Sequence, residues 1–137
     1  MRWFWSNKTI LRDWILCLGA ICLFGCRTRL PVAEQAAVWE KIHLNLADID
    51  QDGRSGPLGG KVAVNYEFCL PAQKKYWQKV KRIDKTAQKM TRSQGRVGCG
   101  TGQWLIVGST QQRNVKRVLY RLAAQPVVLR IEQTYWE

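Results

Sequence analysis

From residue 61 onward the apolar residues switch their spacing repeatedly, and that succession limits the fold more than any other feature of the chain. Lys61–Cys69 (KVAVNYEFC) is rich in β-branched and aromatic residues. It sets Val62, Val64, Tyr66 and Phe68 on one side, which predicts a strand closed by Leu70-Pro71. Ala72–Asp84 changes to helical spacing: Tyr76, Trp77, Val80 and Ile83 share one side while Lys and Arg fill the other. Arg96–Cys99, a Gly-Thr-Gly turn and Gln103–Val107 (QWLIV) predict a hairpin, with Ala87–Gln94 fitting either loop or strand. Asn114–Ala124 repeats the helical pattern through Val115, Val118, Leu119 and Leu122, Pro126 ends it, and Val127–Tyr135 predicts a last strand.

The order is β-α-β-β-α-β, the arrangement of ferredoxin-like α+β domains: an antiparallel sheet with two helices on one face. Both apolar stripes are then buried and both polar ones left outside. Upstream, Pro31–Asn45 (PVAEQAAVWEKIHLN) predicts an N-terminal helix, since Pro suits a first turn and Val32, Ala36, Trp39, His43 and Leu46 recur at helical spacing. At 137 residues the chain holds one domain and a short addition. We divide it into a leader (1–26), a helix with an acidic Asp/Gly loop (27–60) and a basic βαββαβ domain (61–137).

Charge is unevenly spread. The net charge is +12, yet residues 31–69 carry three bases against six acids, while residues 70–130 carry fourteen bases against one acid, Asp84. A half so one-sided repels itself unless it faces something anionic. Lys74, Lys75, Lys79, Lys81, Arg82 and Lys85 follow the polar side of the first predicted helix, and Arg113, Lys116, Arg117 and Arg121 that of the second. On one face of a sheet the two sets are expected to join into one cationic surface.

The amino end places Arg2, Lys8 and Arg12 before twelve uncharged residues, Trp14–Gly25. Twelve is short for a spanning helix, which needs about 20 apolar residues, and suits the apolar region of a secretory signal. An uncleaved anchor extended through Ile10 and Leu11 would bring Arg12 and Asp13 into the membrane, a costly placement. The stretch ends Leu23-Phe24-Gly25-Cys26, which resembles the lipobox of bacterial lipoproteins. That resemblance implies cleavage after Gly25, acylation of Cys26 and an exported, membrane-anchored protein of the cell envelope. Cys69 and Cys99 then remain, and in an oxidising compartment they form a disulfide candidate; two buried small side chains are the other reading.

Few residues suggest chemistry. Asp48, Asp50 and Asp52 occupy positions 1, 3 and 5 of a calcium-type loop (DIDQDG), with Gly53 at the sharp turn. Gly56 and Gly59 stand where late ligands belong, so calcium would have half a site, and the preferred reading of the stretch is an acidic joint. The run Gly95–Gly102 lacks the Lys-Ser/Thr ending of a phosphate loop and precedes a strand, which fits a hairpin turn. His43 is the only histidine, and no Ser-His-Asp set, carboxylate pair or Cys-His cluster assembles, so no enzyme and no cofactor is expected. The sequence therefore points to a non-catalytic binding or structural module. Its expected partners are the membrane, through the lipid and anionic headgroups, or an envelope polymer or acidic protein. The alternative is a non-specific nucleic-acid-binding ferredoxin-like domain. RNA-recognition domains share the element order but read bases with aromatics on their first and third strands. The third strand here offers only Trp104, and export argues further against nucleic acid.

Overall fold

Tyr66, Phe68 and Leu70 alternate with Glu67 and Cys69 along the central strand, and all three are fully buried beneath a layer of helices. This computed structural model describes residues 31–135. The leader, Cys26 and the boundary at residue 26 lie outside the described residues. The elements are α1 (Val32–Glu40), β1 (Ile42–His43), β2 (Arg54–Ser55), β3 (Val62–Ala63), β4 (Asn65–Pro71), α2 (Lys74–Ile83), β5 (Gln88–Met90), β6 (Gln103–Ser109), α3 (Val115–Ala123) and β7 (Ile131–Thr134). Five strands form one sheet in the order β1-β7-β4-β6-β5, while β2 and β3 form a separate two-stranded ribbon.

The class is α+β, but the expected antiparallel ferredoxin-like sheet with two helices is corrected. The sheet is mixed, because β1 runs parallel to β7 with Ile42 opposite Ile131, and a third helix, α1, packs on α3. The cause lies at Lys41. The predicted helix 31–45 stops at Glu40, and the Lys41 ammonium donates to the carbonyls of Ala123 (3.1 Å) and Val128 (3.0 Å), capping the end of α3. Its own carbonyl accepts from Ile131 N–H at 2.7 Å, which starts the parallel pairing. Helical spacing upstream also misassigned the buried side of α1: Val38 is buried, whereas Val32 is 83% exposed. Trp39 is held instead against Tyr120, ring centroids 5.1 Å apart.

Two further expectations change in detail. The predicted strand 61–69 breaks at Val64, whose N–H donates to Thr110 Oγ1 and whose carbonyl accepts from Thr110 N–H, both at 2.8 Å. Val62 is thereby drawn into the ribbon and exposed. On the side of β6 away from β4 the neighbour is β5, not Arg96–Cys99, which lies in the loop over the other face of the sheet.

Val38, Val80, Leu119 and Leu122 from the three helices share one apolar cluster with Tyr66, Phe68, Leu70, Ile106 and Ile131 from the sheet. At about 1.5–3 kcal/mol for each large side chain buried, this cluster is the main source of stability. Inside it sits one polar knot. Tyr66 Oη donates to Asp84 Oδ2 (2.7 Å), Thr86 N–H and hydroxyl donate to Asp84 Oδ1 (2.8 and 2.7 Å), and Gln112 Nε2 donates to the same oxygen (3.0 Å). Gly108 makes room for the knot, since a Cβ there would lie 2.5 Å from the Tyr66 ring and 2.6 Å from Asp84 Oδ2. Burial first, then the Asp84 charge, pushes the Tyr66 phenol far above its ordinary value of 10.0.

Candidate functional site

The basic helices are where the charge asymmetry becomes geometry. On α2 the buried residue is Val80, with Tyr76, Trp77 and Ile83 half-buried beside it, so Lys74, Lys75, Gln78, Arg82 and Lys85 point outward. Lys79 and Arg82 turn towards α3 and, with Arg121, line a shallow groove of about 380 Å³ between the helices, which also includes Ile83, Tyr120 and Ala124. Asp84, the lone acid in this half of the sequence, is buried in the knot and adds nothing to the surface.

Helix stability accounts for only some of these cations: Arg82 and Arg121 stand in last turns, where positive charge suits the helix dipole, and those in the first turns do not. The first turn of each helix holds no acid. Lys74 and Lys75 stand in it on α2, and Lys116 and Arg117 on α3, with Arg113 just ahead. A cation there opposes the helix dipole by about 0.3–1 kcal/mol. Neither helix has a side-chain N-cap to offset this.

The ten predicted bases are all exposed but differ in what they touch. Lys81 is committed to structure: its ammonium donates to the carbonyls of Lys85 (2.8 Å) and Ala87 (2.7 Å), closing the turn after α2. Lys75 lies over the Tyr76 ring at 4.7 Å. Arg113, Lys116 and Arg117 line a larger groove of about 880 Å³ opposite Asp50 and Asp52 of the acidic loop. Among the described residues none of the ten is ion-paired with an acid. Lys79, Arg82 and Arg121 are thus the set that two helices bring together.

The acidic loop is a joint. Asp50 Oδ1 accepts from the N–H groups of Arg54 (2.9 Å) and Asp52 (3.0 Å), and Oδ2 from the Lys61 ammonium (3.0 Å). The Arg54 N–H first and the Lys61 contact second hold this carboxyl below the usual range. Asp48 is taken by the Asn45 amide at 2.6 Å. Among the described residues no group of three His, Cys, Asp or Glu able to hold a metal occurs, and the contacts of Asp48 and Asp50 are those of a polar joint. Ile49 is buried in the core instead, and Gly53, at φ +77°, approaches the Thr110 backbone so closely that any Cβ would overlap it.

The opposite face of the sheet is closed by the loop 91–102. A disulfide joins Cys69 on β4 to Cys99 in the loop. Val97, Cys99 and Leu105 form a small apolar cluster there, and Glu67 is buried beside it. Its Oε1 accepts from Val97 N–H at 2.6 Å and its Oε2 from the Thr134 hydroxyl at 3.3 Å. The face on which RNA-recognition domains stack bases is thus covered, and Trp104 belongs to the helix side, with the Lys89 ammonium 4.1 Å above its ring. His43 leaves the predicted helix for β1, where Nδ1 lies 3.5 Å from Glu132 Oε1.

Sequence reasoning missed Lys41 as a cap, Thr110 as a clamp and the Tyr66–Asp84–Gln112 knot. Only Asp84 carried a signal, as a single acid among fourteen bases directly after an apolar residue. Among the described residues no helix is long and apolar enough to cross a membrane. Comparison with known proteins finds no match for this chain, neither a family model, nor a curated protein, nor a solved structure.

Proposed function

We propose that this chain is a small exported, lipid-anchored, non-catalytic module that presents its basic helical face to an anionic partner at the cell envelope. The observation that carries the reading is the placement of cations at helix starts, where they weaken the helices and have no acid paired with them among the described residues. Such charges are retained at a cost to stability, which an external anion repays. The lipobox-like Leu23–Cys26 supports the anchor, and the Cys69–Cys99 bridge is in keeping with an oxidising compartment.

Intact-mass measurement on native material tests the export half. The expected product begins at Cys26, carries acyl mass there and keeps two cysteines joined; an unprocessed, thiol-bearing chain sinks it. Retention of the full chain on an acidic polymer matrix tests the charge half. Retention is expected to fall with salt and with Lys79→Gln/Arg82→Gln/Arg121→Gln, and retention indifferent to both sinks the basic face.

A further inference from the structure

Resting on the reading of a tethered basic module, we infer that the partner is the anionic phospholipid surface itself. In this arrangement the α2–α3 groove takes a headgroup phosphate and α2 lies along the membrane plane. Three observations lead there. The first is reach. Four residues separate Cys26 from Pro31, five steps along the chain that span at most about 18 Å, and α1 begins directly after Pro31. Because α1 packs on α3 in the helical layer, the tether joins the domain at the layer that carries the cations.

The second is the chemistry of the groove. Lys79, Arg82 and Arg121 place three cations around a shallow site that also contains Ile83, Ala124 and the Tyr120 ring. Cations beside an apolar wall suit a phosphodiester attached to a glycerol backbone. The third is the texture of the outer surface. Lys74, Lys75, Gln78, Arg82 and Lys85 offer charge and hydrogen bonds, while the rings nearest them, Tyr76 and Trp77, are half-buried and already carry Lys75, Lys81 and Lys89 against them, so the face suits a plane of headgroups better than a nucleic-acid strand. Glu34 and Glu40 on α1 carry the opposite sign. They tilt the domain so that α2, and not α1, turns towards the lipid.

The test uses the full chain with an environment-sensitive fluorescent amino acid at Gln78, on the outward side of α2, and in a second sample at Gln94, in the loop over the opposite sheet face. Each is mixed with vesicles of phosphatidylcholine alone, or with phosphatidylglycerol added, containing a headgroup-located quencher. Quenching at Gln78 is expected only with phosphatidylglycerol, reversed by salt, with Gln94 silent in both. Each cation removed weakens the contact about fivefold. Lys79→Gln/Arg82→Gln/Arg121→Gln therefore shifts the phosphatidylglycerol needed for half-quenching by about a hundredfold.

Flotation in the same samples separates the two ideas. A chain that floats with both lipids while Gln78 responds to neither, or equally to both, overturns the docking face and leaves the tether standing. A chain that floats only with phosphatidylglycerol, with Gln78 quenched, overturns the tether and keeps the face. A chain that stays soluble in both overturns both. Stronger response at Gln78 to a single-stranded oligonucleotide than to phosphatidylglycerol overturns the lipid assignment in favour of nucleic acid.

Discussion

The two faces of the sheet are held by different physics. The helix side buries Tyr66, Phe68, Leu70, Ile106 and Leu119 completely and closes its one polar knot with several hydrogen bonds. The loop side has only Val97, Cys99 and Leu105 fully inside, and adds a disulfide and a buried carboxylate to hold the loop 91–102 down. A face with enough apolar area needs no covalent help, whereas a twelve-residue loop with four glycines cannot offset its conformational entropy by contacts alone. The disulfide therefore compensates for a core too small to order that loop.

Predictions follow from that contrast. Phe68→Ala removes a fully buried ring from the helix side and should cost about 3–5 kcal/mol in denaturant unfolding. Replacing Cys69 and Cys99 together by Ala opens a link spanning 30 residues and should cost about 3–4 kcal/mol. Its signature is local: amide exchange accelerates in 91–102 well before it does in β4 or α3. Uniform acceleration would erase the distinction between the faces.

Tyr66→Phe removes the hydroxyl that donates to Asp84 and should cost about 1–3 kcal/mol. The same group sets an alkaline limit. The folded state keeps a phenol proton that the unfolded chain releases from about pH 10 upward, so this contribution is complete below pH 10 and is lost as pH rises beyond it. Absorbance titration should show Tyr66 ionising only as the protein unfolds, with that step missing in Tyr66→Phe. The smallest effect belongs to Glu67→Gln, which keeps an acceptor for Val97 N–H. It should cost about 1 kcal/mol and show first as faster exchange at Val97.

Much of this was legible in the residues and some was not, for identifiable reasons. α2 and α3 lie within their predicted ranges because each carries a clear apolar stripe with Lys and Arg opposite. The mixed sheet was not legible, because Ile42 and His43 continue a helical spacing; only Lys41, reaching across the fold to Ala123 and Val128, shows why the helix stops. The acidic loop was legible only in part for a similar reason. Asp spacing says where carboxylates stand along the chain but not that Lys61 and two backbone N–H groups claim Asp50. The grouping of Lys79, Arg82 and Arg121 needed the packing of α3 on α2, which no local pattern contains.

One contact has a bearing on crowding. Lys89 sits on β5, an outermost strand of three residues, and its ammonium is stacked over Trp104 and lies within 5.7 Å of the Trp77 ring centroid. The opposite margin, β1, is two residues long. Both borders are thus too brief to template another chain, and one has a charge folded under it that an incoming strand would have to bury. Copies packed side by side at high density should remain separate particles and not zip together edge to edge.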